Sequence, residues 1–326
     1  MTLKILTFNH HESFLAAIAK TGFEFDVVEQ KGSLDLSWNP ASPPRPHNMK
    51  PVVFDQDLKS KLSNGYYDVV LCHTIKNLIW MMPYKKCRYI FVAHIHLFQK
   101  SISEKLKAFI KKSIFRKFSS GHSCKLVAVT RNKVHSWNVG GDVIVNVPSN
   151  IASGQTESEN SEDLSSPLVH PVIFVSNQMK LRGDEAGYKV IKYLSSKIPL
   201  TVIGNNPDFP GAVIPDTYET FQRCFRKGLV YVFPVQPPYD EFNLAMLEAM
   251  RLGLPVVCFQ HPLSPIIHNV NGLVANSMDQ MLRQLTFLVN NPGERARLGD
   301  AAKVTIAEHF SESAFIENWS KTIREQ

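Results

Sequence analysis

The chain lacks the features that would place it across a membrane or in an oxidising compartment. No run approaches the ~18 uncharged apolar residues that a membrane helix needs. The opening MTLKILTF enters a strand at once, so we expect it to be too short for a signal peptide. The five cysteines are scattered and show neither disulfide nor metal-ligand spacing. These absences predict a protein of the reducing cytoplasm.

Nucleic-acid motifs are also missing, although the charge is basic. The net charge is +7 and the isoelectric point is about 9.1, which suits phosphate-bearing ligands or an anionic membrane surface. No zinc-finger, RNA-binding or recognition-helix pattern accompanies this charge, so nucleic acid is not expected as a partner. With 326 residues, 44% of them hydrophobic, the chain suits two globular domains of ~100–200 residues each.

Strand and helix patterns alternate along both halves of the chain. Short apolar strands joined by long crossovers predict α/β domains with doubly wound parallel sheets. The region 37–51 is rich in Pro, Ser and Asn and predicts an irregular excursion. The predicted strands are Lys4–Phe8, Phe25–Val28, Asp68–Cys72, Tyr89–Ala93, Lys125–Thr130, Val143–Val147, Pro171–Val175, Leu200–Ile203, Ala212–Ile214, Val230–Phe233 and Val256–Phe259.

The two halves meet in a polar segment. Residues 154–166 read GQTESENSEDLSS, which is acidic and nearly devoid of apolar side chains, and so predicts a flexible linker. We therefore expect a Rossmann-like domain over residues 1–151, a linker over 152–168 and a second Rossmann-like domain over 169–310. Two such domains would face each other across a cleft.

The segment 230–257 carries the clearest chemistry of the sequence. A buried strand, an acidic loop, a helix, a Gly-Pro stop and another apolar strand form a βαβ unit. Asp240 and the first helix amides then lie at the carboxyl edge of the sheet, where open α/β sheets bind ligands. Glu248 lies further along the helix, on the same face as Leu244. Two acids around amide donors predict a ligand with hydroxyls and phosphate, such as a sugar nucleotide.

This segment resembles the retaining glycosyltransferases of the GT-B fold, family 4 (glycosyl transferases group 1). Their motif is E-G-F-G-L-x-x-x-E-A-M-A-x-G-x-P-V-V, and residues 240–257 read D-E-F-N-L-A-M-L-E-A-M-R-L-G-L-P-V-V. The resemblance implies that Glu248 accepts hydrogen bonds from ribose hydroxyls and that Asp240, in place of the first acid, holds the sugar hydroxyls. Glu241 and Asn243 replace glycines. The other donor-binding residues implied here are Glu241, Phe242, Asn243 and Leu244.

Further donor-site elements follow from the same resemblance. Phe174-Val175-Ser176-Asn177 and then Arg182-Gly183 match F-V-G-R-x-x-x-x-K-G, which assigns Arg182 to the donor diphosphate. Asn177 stands where an arginine is usual and can still bind phosphate, with Lys180 either compensating for the charge or solvated. Gly204 lets the backbone approach the nucleotide. Ser264 begins S-P-I-I in place of P-E-I-V; a donor contact and a plain turn both stay open.

Histidines mark the first domain. His94 follows a strand at a position where relatives bring a histidine to the donor sugar, although a satisfied polar residue is equally compatible. His10 and His11 are acceptor-side candidates, or simply the polar start of a helix opened by Glu12. His94 and His96 lack a third metal ligand.

The D-x-D sequence at residues 55–57 matches a metal signature of the other glycosyltransferase fold, but a helix start is favoured. We therefore expect no metal and no cofactor.

A basic amphipathic segment runs over residues 101–118. Ile102, Leu106, Phe109, Ile110, Ile114 and Phe118 have helical spacing among lysines. Core packing is favoured for this stripe, with an electrostatic membrane contact open on the outer face. By resemblance, the closing helix 311–326 packs back on the first domain, anchored by Trp319.

The function implied by the resemblance is retaining, metal-independent transfer of a sugar from a nucleotide-diphosphate sugar to a hydroxyl acceptor, a glycan or lipid-linked saccharide of the cell envelope. Asp240, His94 and Arg182 are the catalytic candidates, and no covalent nucleophile is expected. The protein would work in the cytoplasm, at the inner face of the membrane if the acceptor is lipid-linked. Two alternatives stay open: an inactive GT-B binding or partner protein, and a sugar-nucleotide epimerase of the same fold.

Overall fold

The structure, a computed structural model, describes residues 3–97, 101–149 and 170–325. Its contacts divide the chain into two compact units. Unit 1 comprises Met1–Asn39, Pro43–Val147 and Glu312–Gln326, and unit 2 comprises Pro40–Ser42 and Pro148–Ser311. The predicted linker over 152–168 lies outside the described residues.

Strands and helices alternate through both units. The strands are β1 (Lys4–Phe8), β2 (Glu24–Lys31), β3 (Leu34–Asp35), β4 (Met49–Val53), β5 (Val69–Cys72), β6 (Arg88–Ala93), β7 (Cys124–Ala128), β8 (Asp142–Val143), β9 (Val172–Val175), β10 (Leu200–Ile203), β11 (Val230–Phe233), β12 (Val256–Phe259) and β13 (Gly272–Ala275). The α-helices are α1 (Glu12–Ile18), α2 (Gln56–Asn64), α3 (Ile75–Met81), α4 (Ile102–Gly121), α5 (Arg131–Trp137), α6 (Met179–Arg182), α7 (Tyr188–Ser195), α8 (Tyr218–Lys227), α9 (Leu244–Leu252), α10 (Met278–Asn290), α11 (Pro292–His309) and α12 (Glu312–Arg324).

Unit 1 is built on an eight-stranded sheet of order β3-β2-β1-β5-β6-β7-β8, with β4 also paired to β2. Its pairs are parallel except that β3 runs antiparallel to β2. All four residues of β5 are buried, as expected for a continuous apolar run in a sheet covered on both faces.

Unit 2 has a five-stranded sheet of order β10-β9-β11-β12-β13, and every pair in it is parallel. The strands β10, β11, β12 and β13 are buried at every position. The predicted α/β class with two parallel sheets is therefore confirmed.

Helix α12 belongs to unit 1 although it follows unit 2 in the sequence. Trp319 is fully buried there, and its ring lies 5.5 Å from that of Phe14 on α1. The guanidinium of Arg88, at the start of β6, donates to the carbonyl of Ile323 at 2.7 Å. The chain thus closes the core of its first unit with its last helix.

The amphipathic helix α4 differs from the favoured prediction. Phe118 is buried with Ala108 and Phe115 and Ile114 is half-buried, but the other large apolar side chains of the predicted stripe are exposed. Ile102 is 87% exposed and Phe109 66% exposed, with Leu106 and Ile110 exposed beside them. Because Ala108 and Phe115 provide the packing face, the predicted core packing of the whole stripe is wrong. Among the described residues, no helix combines the length and apolarity needed to cross a bilayer.

Candidate functional site

The candidate residues of unit 2 collect at one edge of its sheet. Asn177 follows β9, Gly204 follows β10, Asp240 lies in the loop after β11, and Ser264 follows β12. These four strands are adjacent and parallel, so their carboxyl ends bring the four loops side by side. This edge is where parallel α/β sheets offer a ligand site.

The acidic loop, residues 240–243, leads directly into the N-terminus of helix α9. Asn243 is the N-cap, and its Oδ1 accepts a hydrogen bond from the Met246 amide at 2.8 Å. Asp240 is half-buried in the loop that precedes this cap. Leu244 begins the helix, and first-turn amides have no acceptor within a helix. The arrangement supplies a carboxylate and amide donors at a positive helix end, which suits a phosphate-bearing ligand.

Glu248 lies in the second turn of α9 and is only 5% exposed. Burial raises the pKa of its carboxyl to about 7, against hydrogen bonds from the side chain and backbone of Ser149 and the charge of Arg251, which lower it. Near neutral pH this group therefore both donates and accepts hydrogen bonds. Ser149 was not predicted from the sequence, because a contact across about a hundred residues leaves no local pattern.

Two neighbours in the acidic loop are turned inward. Glu241 is 2% exposed, and within the described residues its Oε1 has no hydrogen-bond partner. The ring of Phe242 lies edge-on to Phe310, with the centroids 5.6 Å apart. Phe242 thus anchors the loop to the body of unit 2.

The loops after β9 and β10 are joined by side-chain amides. Asn177 Oδ1 accepts from the Asn205 amide at 2.7 Å, and buried Asn206 accepts from the Met179 amide at 2.8 Å. Gly204 has φ +127°, and a Cβ there would lie 2.4 Å from the Ser176 carbonyl oxygen. Only glycine fits this crossing. The amide oxygen of Asn177 therefore already accepts a hydrogen bond from the neighbouring loop.

The two cations near these loops are exposed and paired. Arg182 ends α6 and lies 3.4 Å from the carboxylate of Glu185, while Lys180 lies 3.9 Å from that of Asp208. Such pairs are weak at a surface, so both cations can turn to an anionic ligand.

Ser264 takes part in a local turn. Its Oγ accepts from the Ile266 amide at 3.2 Å. This hydrogen bond forms the turn, and a donor contact by Ser264 stays a prediction.

The histidine candidates lie in unit 1, at the carboxyl edge of the other sheet. His10 and His11 follow β1, and His94 follows β6, with the His11 and His94 rings 4.8 Å apart. His73, which follows β5 between them, was missed by sequence reasoning. Its signal was the recurrence of histidine after three predicted strands. His11 is the N-cap of α1, with Glu12 in the first turn.

The D-x-D segment is a helix start, as predicted. Asp55 is the N-cap of α2 and accepts from the Leu58 amide at 3.0 Å, while Asp57 pairs with Lys61. Among residues 3–97, 101–149 and 170–325, no group of three or more His, Cys, Asp or Glu side chains is arranged to hold a metal ion.

Comparisons with known proteins agree with this geometry. Residues 181–291 match the family model described as Glycosyl transferases group 1. An uncharacterized glycosyltransferase from Haemophilus influenzae is 28% identical over 171 residues, covering 45% of this chain and 47% of that protein. The chain thus spans about half the length of this curated relative.

Solved structures share the whole architecture. HepE from Anabaena, determined in complex with UDP-glucose, superposes with a TM-score of 0.74 at 13% identity, covering 98% of this chain and 99% of HepE. WaaG, a glycosyltransferase involved in lipopolysaccharide biosynthesis, gives 0.65 at 12% identity, covering 99% of this chain and all of WaaG. The predicted resemblance is confirmed: the chain has the GT-B fold, and residues 181–291 of its second unit are similar to the glycosyl transferases of group 1.

Proposed function

We propose that this protein is a retaining glycosyltransferase that moves a sugar from a nucleotide-diphosphate sugar to a hydroxyl of a cell-envelope glycan or lipid-linked saccharide. In this reaction the acceptor oxygen bonds to the anomeric carbon while the bond to the diphosphate breaks. The leaving phosphate takes the hydroxyl proton, so no enzyme nucleophile is required.

The observation that carries the proposal is the pair of acids around the N-terminus of helix α9. Asp240 lies in the loop before the N-cap Asn243, and Glu248 lies in the second turn of the helix with a raised pKa. Glu248 would accept hydrogen bonds from the ribose hydroxyls, and Asp240 would accept them from the sugar hydroxyls. The backbone amides of Asn243 and Leu244 would donate hydrogen bonds to the nucleotide-diphosphate sugar. A matching family model over residues 181–291 supports the same assignment.

Arg182 would stabilise the negative charge on the leaving diphosphate. Its guanidinium offers a bidentate contact to phosphate, and exchanging the exposed Glu185 for a diphosphate strengthens its interaction. We further propose that transfer needs no metal, since the cation and the helix N-terminus supply the positive field at this point.

A donor-panel experiment tests the function. The full chain is heated with UDP, GDP and ADP sugars, and bound donor should raise the melting temperature by mass action. UDP-glucose is the first probe, because it is bound in HepE. Glu248→Ala should lose the shift, while Glu219→Gln, a substitution of an exposed glutamate on α8 of the same unit, should retain it.

Transfer is then measured with the donor found, with and without EDTA, and the product's anomeric configuration is read by NMR. Full turnover by a folded Glu248→Ala variant, or an inverted product, would contradict the proposal.

One observation favours a non-catalytic binding protein as the second candidate. Asn177 replaces a usual arginine, and its oxygen already serves Asn205, which removes a charge from the diphosphate site. Such a protein need bind no donor or would bind one without turnover. Calorimetric titration combined with a transfer assay separates the two functions.

Helix α4 supports a place for the enzyme at an anionic bilayer surface. Its exposed apolar residues Ile102, Leu106, Phe109 and Ile110 recur on one face. Lysines and arginine flank that face, and the single acid of the helix, Glu104, closes the N-terminal capping box. Apolar side chains surrounded by cations fit anionic headgroups over acyl chains.

Vesicle flotation tests this surface. The full chain should float with vesicles that contain phosphatidylglycerol, and Phe109→Ser should float less. Phe287→Ser removes an aromatic side chain of 46% exposure on α10 and should behave like the native chain. Equal flotation of both variants would refute the α4 contact, and self-association is excluded by sedimentation velocity without vesicles.

A further inference from the structure

Three side chains form a hydrogen-bonded row across adjacent strands of unit 1. Thr7 Oγ1 in β1 lies 2.8 Å from His73 Nε2, which follows β5. His73 Nδ1 lies 3.0 Å from Nε2 of His94, which follows β6. Thr7 is fully buried and His73 is 4% exposed. The row therefore runs from the interior of the sheet to the half-buried ring of His94 at its carboxyl edge.

The positions of the protons set the direction of each hydrogen bond in the row. A neutral imidazole carries one N–H, and each link needs one proton. In one direction Thr7 donates to His73, whose Nδ1–H donates to His94, so that His94 carries its proton on Nδ1. In the other direction His94 donates from Nε2, His73 donates to Thr7, and the hydroxyl proton must find another acceptor.

Burial decides between these directions. Within the described residues, the hydrogen bond to His73 is the one that Thr7 Oγ1 makes. In the second direction its hydroxyl proton would be buried without an acceptor, which disfavours that arrangement by about tenfold or more. The first direction uses every buried proton.

We propose that Thr7 and His73 hold His94 as the neutral Nδ1–H tautomer, so that His94 meets its ligand as a hydrogen-bond donor. The ligand group is then an oxygen with free lone pairs, and under the proposed function this is a hydroxyl oxygen of a substrate saccharide. Thr7 and His73 are positioning residues, because they act through His94.

The surroundings keep the row neutral. Burial lowers the pKa of both His73 and His94 well below the ordinary value, and the neighbouring His10 and His11 lower it further. The Phe14 ring lies edge-on to His94 at 5.0 Å, which closes one side of the imidazole. The His73 ring, which makes the hydrogen bond, lies with its centroid 5.2 Å from that of His94 and with its plane tilted by 29° from that of His94. The donor N–H is thus held in one direction.

Histidine-selective NMR of the free, full-length protein tests the tautomers without any substrate. With isotope-labelled histidine near neutral pH, both His73 and His94 should show a protonated Nδ1 and an unprotonated Nε2. Assignment uses His73→Asn and His94→Asn spectra. A wild-type His94 protonated on Nε2 overturns the proposal.

Matched Thr7 variants test the cause. Thr7→Val removes the hydroxyl at nearly constant shape, and a mixture of His94 tautomers should replace the single one. Thr7→Ser should restore it. Under the proposed function, kcat should fall about tenfold in Thr7→Val with little change in KM and recover in Thr7→Ser.

An unchanged His94 tautomer in Thr7→Val refutes the role of Thr7 in the row. An altered tautomer with unchanged kcat refutes the role of the His94 tautomer in transfer. A wild-type chain that shows the expected tautomers but binds and turns over no donor refutes the proposed function instead.

Discussion

Replacing Glu248 by glutamine should make the protein more stable at alkaline pH while removing its function. The carboxyl lies 5% exposed within α9, and burial raises its pKa to about 7 from an ordinary value of 4.5. Since the folded-state pKa is above that of the unfolded chain, the folded state holds the proton more tightly. The free energy of unfolding therefore falls as the pH rises from about 4.5 to about 7, and levels off above that.

The size of the effect follows from the pKa difference. At about 1.4 kcal/mol per pKa unit, ionising Glu248 in the folded state costs about 3 kcal/mol at pH 8. Glutamine has the same shape, accepts from Ser149 and cannot ionise. Glu248→Gln should thus exceed the native chain in stability by about 1–3 kcal/mol near pH 8, with no advantage near pH 5.

Hydrogen exchange measures this change in stability within unit 2, which contains Glu248. All four tryptophans, Trp38, Trp80, Trp137 and Trp319, belong to unit 1, so fluorescence would report mainly on the unit without the substitution. Exchange of peptides from β11 and β12 reports on unit 2, and comparing variant with native chain at each pH cancels the intrinsic exchange rate. Tryptophan fluorescence then serves as the internal control.

Two results would refute the reasoning. One is a Glu248→Gln variant that is no more stable than the native chain near pH 8. The other is a stability difference that does not change between about pH 5 and pH 8. The surface substitution Glu219→Gln should show neither a gain nor a pH dependence, and donor binding should be lost in Glu248→Gln alone.

Three further outcomes are expected. Gly204→Ala should lower the stability of unit 2 by about 1–3 kcal/mol or more in thermal unfolding, because the backbone is at φ +127° and the new Cβ meets the Ser176 carbonyl; an unchanged melting temperature would contradict this. Asn271→Ala removes a fully buried amide that makes three hydrogen bonds, and should cost about 3 kcal/mol in urea unfolding. Arg182→Gln should weaken UDP binding about tenfold in calorimetry at low salt, with a smaller difference at high salt and no effect on stability, since Arg182 and its partner Glu185 are exposed.

The strands that could be predicted from the sequence are those buried on both faces. Lys4–Phe8, Leu200–Ile203, Val230–Phe233 and Val256–Phe259 have the predicted bounds, because a mainly apolar run of four or five residues is too short for a buried helix. Residues 49–51 of the strand Met49–Val53 fell in the region predicted as irregular. Pro51 is tolerated there because, among the described strands, β4 pairs only with β2.

Other differences have equally local causes. Ala212–Ile214 forms a single bridge through Val213 instead of a strand. The strand Gly272–Ala275 was overlooked, since its four residues begin with glycine, which is depleted in strands.

The candidate site was predictable where its residues are contiguous. The order of Asp240, the helix start and Glu248 follows from residues 240–248 alone, and the Asn243 cap follows from its residue type. What joins distant segments was not predictable: the Ser149 hydrogen bond to Glu248 and the row from Thr7 to His94 depend on strand order. The exposed face of α4 likewise depends on which neighbours cover Phe115.

The return of α12 to unit 1 has a consequence for biosynthesis. Phe315, Trp319 and Ile323 fill the same apolar cluster as Phe14 and Ile18. A ribosome delivers these residues only after all of unit 2 has emerged, so the later unit can complete its folding while the earlier one still waits for its closing helix. Released chains that are truncated after Ser311 should accordingly hold a protease-resistant unit 2 and a protease-sensitive unit 1.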